Sequence, residues 1–279
     1  MPNDLGQSEP YAWWGPVWTP AAPRNLGDLL RDRVLTPEMA ALLWALMSRH
    51  ASVIVIAEPR GAGKTTLLTA LLDLYPPALR RIYLRGCYDP LTVLDHPALD
   101  PHRTLLLVNE ISDHLPIYLW GSGVGRLFAA TRRGFTFAAT AHASDATALA
   151  HDLTAPPLAL HPNEVGAIDL VVALDLWRER ETPRRAMRQV TTWNRARRGD
   201  LREVPLATTD RATGQTRLNP SPIIQFVAER GERLTAANLA AELQARTAVL
   251  AEICKHGPPQ TADLRAAIGR EWVRAGQIR

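Results

Sequence analysis

One stretch constrains this chain more than any other: Val53-Ile54-Val55-Ile56-Ala57-Glu58-Pro59-Arg60-Gly61-Ala62-Gly63-Lys64-Thr65-Thr66. An apolar, β-branched run stops at a short turn containing glycines. A helical pattern carrying Leu67, Leu68, Leu71 and Leu72 follows at once. The order reads strand, phosphate-binding loop, helix. In such a loop, backbone N–H groups and a helix N-terminus face nucleotide phosphates. Gly61, Ala62, Gly63 and Thr66 supply the cradle, Lys64 reaches the β- and γ-phosphates, and the Thr65 hydroxyl coordinates Mg²⁺. One position departs from G-x-x-x-x-G-K-[ST]: Glu58 stands where the first Gly belongs.

Composition sharpens that reading. Of 32 Lys and Arg residues, only Lys64 and Lys255 are lysines. A surface lysine exchanges for arginine with little effect, whereas a compact ammonium among phosphates has no planar substitute. Net charge of +4 and a hydrophobic share of 46% suit an ordinary globular chain and force no nucleic-acid reading. Cys87 and Cys254 are too few and too far apart for a disulfide framework or a metal cluster. No apolar run is long enough to span a bilayer, and the start lacks a secretory pattern, so the expected address is the cytoplasm.

Residues 1–23 are rich in proline and carry Tyr11, Trp13, Trp14 and Trp18, either packing back on the domain or docking a partner. Thr36-Pro37-Glu38 opens a helix, with Thr as N-cap and Pro at the first position. Residues 81–84 form a short strand. Thr104-Leu105-Leu106-Leu107-Val108-Asn109-Glu110 is a continuous apolar run, as in a parallel strand buried on both faces. It ends in Glu110, the candidate for polarising water, with Asn109 able to reach metal-bound water through its amide. A helix is expected from about 117 to 132, weakened by Gly121, Gly123 and Gly125. Phe135–Ser144 reads as a strand whose polar end brings Thr140 and His142 to the same sheet edge as Lys64 and Glu110. A strand over 168–174 leads into an Arg-rich region, 177–203, with an antiparallel strand at 187–193. That region is a solvated face, a subunit contact or a nucleic-acid ribbon. Thr213-Gly214-Gln215 is a turn, and helices follow at about 221–229, 235–256 and 261–274.

These pieces, in this order, resemble the type II/IV secretion and pilus-assembly ATPases, nearest the archaeal-filament and Tad-pilus branch. Lys64-Thr65-Thr66-Leu67-Leu68 through Tyr75-Pro76-Pro77 is similar to the family's Walker A helix segment. Leu106 to Asp113 resembles its Walker B, and Arg133 to Ser144 its histidine box. Leu243, Arg246, Leu250 and Gly257 are similar to its closing helix. The resemblance implies an α/β fold: a RecA-like P-loop NTPase core with a mostly parallel central sheet, plus a C-terminal antiparallel ribbon and helical subdomain. The expected division is a 1–23 tail, a 24–208 ATPase core and a 209–279 helical subdomain. It further implies ATP and Mg²⁺ as ligands, catalysis by Glu110, Lys64 and His142, and γ-phosphate sensing by Thr140 and His142. The implied assembly is a hexameric ring acting with an inner-membrane secretion or pilus platform protein, in the cytoplasm or at the inner face of the membrane. Arg103, Arg132 and Arg133 are the candidates for a charge-neutralising arginine on a neighbouring subunit.

The departures leave two other readings open. The family has a sizeable domain before this core, and an acidic box between Walker A and Walker B for which Asp89 is a loose stand-in. With Glu58 near anionic phosphates, the chain also reads as a weak or inactive paralogue with a structural or regulatory role. The Arg-rich ribbon alone supports a nucleic-acid-dependent NTPase.

Overall fold

The computed structural model describes residues 24–86, 91–194, 199–255 and 261–274. The Pro/Trp-rich segment, Asp89, Arg195, Arg197, Arg198 and Gly257 lie outside the described residues. The chain runs α1 (Leu26–Arg31), α2 (Pro37–Met47), β1 (Val53–Ile56), α3 (Lys64–Leu71), β2 (Arg80–Leu84), β3 (Thr104–Ile111), α4 (Ser122–Thr131), β4 (Thr136–Ala141), α5 (Ala146–Thr154) and α6 (Pro162–Val165). It continues through β5 (Leu170–Glu179), β6 (Thr182–Trp193), β7 (Glu203–Thr209), β8 (Thr216–Leu218), α7 (Pro220–Ala228), α8 (Ala236–Lys255) and α9 (Thr261–Arg274).

All eight strands form one sheet in the order β2-β3-β4-β1-β5-β6-β7-β8. The first five are parallel to one another, and β6, β7 and β8 add on antiparallel. The fold is thus α/β, with a mostly parallel central sheet prolonged by an antiparallel ribbon and C-terminal helices. β1 sits between β4 and β5, with Ile56 level with Ala141 on one side and Ala173 on the other.

Alternation along the strands divides the interior into two cores, because successive side chains leave a pleated strand on opposite faces. Val53, Val55, Leu105 and Leu107 pack with α1, α2, α3 and the C-terminal helices. Ile54, Ile56, Leu106 and Val108 pack on the other face with α4 and α5. Both faces are covered, as parallel strands require.

α2 begins where the sequence predicts: the Thr36 hydroxyl accepts from the Met39 N–H at 3.2 Å. It is not amphipathic, however. Every residue from Met39 to Met47 is buried, because α8 covers the side turned away from the sheet. The predicted helix at 117–132 is shorter, opening only at Ser122 after Gly121 at φ 60°. Residues before it form a loop instead. The Leu119 N–H donates to the Glu110 carbonyl at 2.9 Å, and the Ser112 N–H to the Leu119 carbonyl at 3.2 Å. Gly86 lets this loop approach: a Cβ there would lie 2.1 Å from the Tyr118 carbonyl oxygen.

Candidate active site

The loop between β1 and α3 has the backbone its glycines allow. Gly61 (φ 74°) and Gly63 (φ 97°) occupy the left-handed region, and Gly63 caps α3. Lys64 opens the helix, so the N–H groups of its first turn lack intrahelical acceptors, an arrangement suited to an anion. A cleft of about 520 Å³ lies over this turn, walled by the 60–66 loop, Glu110, His114, Leu115, Tyr118 and His142. Gly61, Ala62, Gly63, Lys64, Thr65 and Thr66 therefore share one wall.

Glu110 reaches the cleft through a β-bulge. Val108 pairs with Ala139, but Ile111 pairs with Ala141, so β3 carries one residue more than β4 across this interval. The shift turns Ile111 to the same face as Val108, against the usual alternation, and re-aims the intervening Glu110. Thr140 fixes the bulge: its hydroxyl donates to the Asn109 carbonyl at 2.7 Å.

Thr140 is fully buried and does not line the cleft, so its hydroxyl is spent on the backbone that carries Glu110 rather than on a ligand. Asn109 is buried at the bulge and likewise absent from the cleft wall. Thr65 does line it.

Three functional groups converge. Lys64 Nζ is 3.9 Å from Glu110 Oε2 and 3.2 Å from His142 Nε2. His142 Nε2 is 3.3 Å from Glu110 Oε1. Glu110 is buried, yet Oε1 has no hydrogen-bond partner. Desolvation lowers the Lys64 pKa, an effect the Glu110 charge only partly offsets. Burial, aided by Glu110, raises the Tyr118 hydroxyl. Charges are held close here, and one carboxylate oxygen is left without a hydrogen-bond partner.

Glu58 takes no part through its side chain, which is exposed and off the cleft wall. Its carbonyl lies 3.3 Å from His142 Nδ1. Among the described residues no ion pair joins Glu58 to Arg60.

Sequence reasoning missed His114, in the stretch between strand and helix, and Tyr118, which falls where the sequence predicts the start of a helix. The available signal was Pro116, which favours an extended residue before it. It also missed Arg185 on β6, whose guanidinium donates to the Gly61 carbonyl at 3.1 Å. Arg103, Arg132 and Arg133 flank the opposite, N-terminal ends of β3 and β4. There Arg132 pairs with Glu164, and Arg133 with Asp95 at 3.0 Å. The Arg-rich ribbon is more neutralised than its composition suggests. Arg178, Arg184, Arg188 and Arg202 pair with Glu181, Glu179, Asp175 and Asp200.

No family model matches the chain, and no curated protein matches it. Among solved structures it is similar to the VirB11 ATPase from the Brucella suis type IV secretion system in complex with sulphate. That match has 17% identity and a TM-score of 0.41, covering 63% of this chain and 64% of the other. It is also similar to the Legionella pneumophila ATPase DotB, at 12% identity and a TM-score of 0.40, covering 89% of this chain and 66% of the other. The chain spans just under two thirds of the length of each.

Proposed function

We propose that this chain binds ATP with Mg²⁺ and hydrolyses it as a motor subunit of a secretion or pilus-assembly machine. The observation that carries hydrolysis is a buried carboxylate oxygen, Glu110 Oε1, left without a hydrogen-bond partner beside Lys64 and His142 at the mouth of a glycine-bearing loop. A native interior seldom leaves such an acceptor unfilled, and those that persist mark functional sites.

The residues fit the ligand. The open space at Gly61 and the free N–H groups of α3 suit phosphate oxygens. Lys64 neutralises charge on the transferred phosphoryl group, and Thr65 is the hydroxyl on the cleft wall for Mg²⁺. Mg²⁺, when bound, supplies further neutralisation of the β- and γ-oxygens. Glu110 Oε1 accepts a hydrogen bond from the attacking water and orients it, while His142, between Lys64 and Glu110, couples the phosphate end of the cleft to the water end. Phosphoryl transfer is mostly positioning and electrostatics, so these roles suffice for catalysis. The ring assembly and the platform partner follow the resemblance of the motif order, with residues 24–208 as the ATPase core and 209–279 as a helical subdomain. The exposed position of Glu58 disfavours the inactive reading, and the paired arginines of the ribbon disfavour nucleic acid.

The test is ATP binding and Mg²⁺-dependent turnover in the parent, Lys64→Ala and Glu110→Gln. We expect turnover lost in both variants and binding kept in Glu110→Gln. Tight binding by the parent without turnover would overturn hydrolysis, and no binding would overturn the nucleotide site.

A further inference from the structure

His114 takes no part in the hydrolysis outlined above, yet it faces the same orphaned oxygen. Its Nδ1 lies 3.9 Å from Glu110 Oε1, and its ring meets that of His142 edge-on, with centroids 5.4 Å apart and an interplanar angle of 78°. One ligand atom each from Glu110, His114 and His142 falls within 4.8 Å of the others. We infer that these three residues form a binding site for a divalent transition-metal ion of the Zn²⁺ type, and that occupancy withdraws Glu110 from water activation.

The donor set matches the class. Two imidazoles and one carboxylate suit Zn²⁺ and its first-row neighbours, whereas Mg²⁺ prefers oxygen ligands. Bonds of about 2.0–2.2 Å in tetrahedral geometry set ligand atoms about 3.4 Å apart. Glu110 Oε1 and His142 Nε2, at 3.3 Å, already stand at that spacing. His114 has about half an ångström to close toward Glu110, within a set whose ligand atoms span up to 4.8 Å, and it sits on an exposed loop that can supply the movement.

His142 is also supported in the way metal-ligating histidines are. Its Nδ1 faces the Glu58 carbonyl at 3.3 Å. A hydrogen bond from Nδ1–H to that carbonyl leaves the lone pair on Nε2, 3.3 Å from Glu110 Oε1, and a backbone carbonyl behind a histidine fixes both tautomer and orientation. The competing group is Lys64, whose ammonium lies 3.2 Å from the same Nε2. Its flexible four-carbon stem lets it swing aside toward the phosphate loop when a metal takes that lone pair.

Metal binding at these groups does not require nucleotide, so the test omits it. The full chain, stripped with a chelator, is titrated with Zn²⁺ by calorimetry and with Co²⁺ by visible ligand-field absorption. The expected result is one ion per chain with a low-coordinate Co²⁺ spectrum. Affinity should fall at least about tenfold in His114→Ala and in His142→Ala, and stay unchanged in His151→Ala, an exposed control outside the cleft. Lys64→Ala should bind Zn²⁺ several-fold more tightly, because it removes the competing cation. Thermal melts identify any variant that has lost its fold. No binding by the parent at millimolar ion, or equal affinity in parent, His114→Ala and His142→Ala, overturns the site. Only the second arm rests on the proposed hydrolysis: bound Zn²⁺ should suppress turnover, with a chelator restoring it. Metal binding without any turnover in the metal-free chain would sink the proposed activity and leave the metal site standing.

Discussion

Two clusters of buried charge can be set side by side. At the base of α8, Arg49 reaches both oxygens of Glu242, at 2.9 and 3.1 Å, and also Glu232 at 2.8 Å and the Ala45 carbonyl at 2.7 Å. Arg246 pairs with Glu242 at 2.9 Å and lies over the Trp44 ring, 4.8 Å from its centroid. At the cleft, Lys64 and Glu110 are 3.9 Å apart and one carboxylate oxygen has no hydrogen-bond partner. The first cluster is saturated and ties α8 to α2. The second holds its charges in waiting. Burial alone does not separate structure from function here; unmet hydrogen-bonding capacity does.

The sharpest break of that comparison is to neutralise one carboxylate in each. Glu110→Gln should lower turnover by about 10²–10³-fold, the scale of losing one transition-state contact, while the melting temperature holds or rises. A site tuned for function gains stability when its uncompensated charge is removed. A large fall in stability for Glu110→Gln would mean that the cleft is structural after all.

Next in size, Glu242→Ala should cost about 3 kcal/mol of unfolding free energy, because buried Arg246 loses its carboxylate and Arg49 keeps only Glu232 of its two. Denaturant unfolding checks this, and an unchanged midpoint would remove the contrast. The pH dependence sharpens it. Burial pushes the Glu242 carboxyl up, but Arg49 and Arg246 outweigh it and hold the folded-state pKa below the ordinary glutamate value. The stability this confers is complete above the unfolded value of about 4.3 and is lost as pH falls through the folded value. Acid unfolding should therefore be less steep in Glu242→Gln. Lys64 behaves oppositely. Its folded pKa is lowered by burial, so its ammonium costs stability in full below that value, and the cost is gone only above the unfolded value of about 10.4. Lys64→Met should consequently be more stable than the parent at neutral pH.

The smallest effect belongs to the residue that connects cleft and core. Thr140→Val removes the donor to the Asn109 carbonyl and should cost about 1–2 kcal/mol, with a drop in turnover at unchanged ATP affinity. A pure stability loss with full turnover would show that the bulge aims Glu110 without help.

Much of the site was legible because it is local. Glycines at 61 and 63, a lysine at a helix start and an apolar run ending in Glu110 are each set by neighbours along the chain. The same holds for Thr36 as N-cap and for Gly214 in the β7–β8 turn, at φ 69°. Parallel strands buried on both faces also announce themselves as unbroken apolar runs, so the core was readable before its order was.

What the tertiary structure alone decided involves partners far apart in sequence. Thr140 spends its hydroxyl on residue 109, His114 meets His142, Arg185 reaches Gly61, and α8 buries the outer face of α2. A residue type fixes what a side chain can donate or accept, and spacing fixes the strand or helix that carries it. Which partner it finds depends on register and bulges between distant strands, and one extra residue in β3 is enough to turn Glu110 toward the cleft.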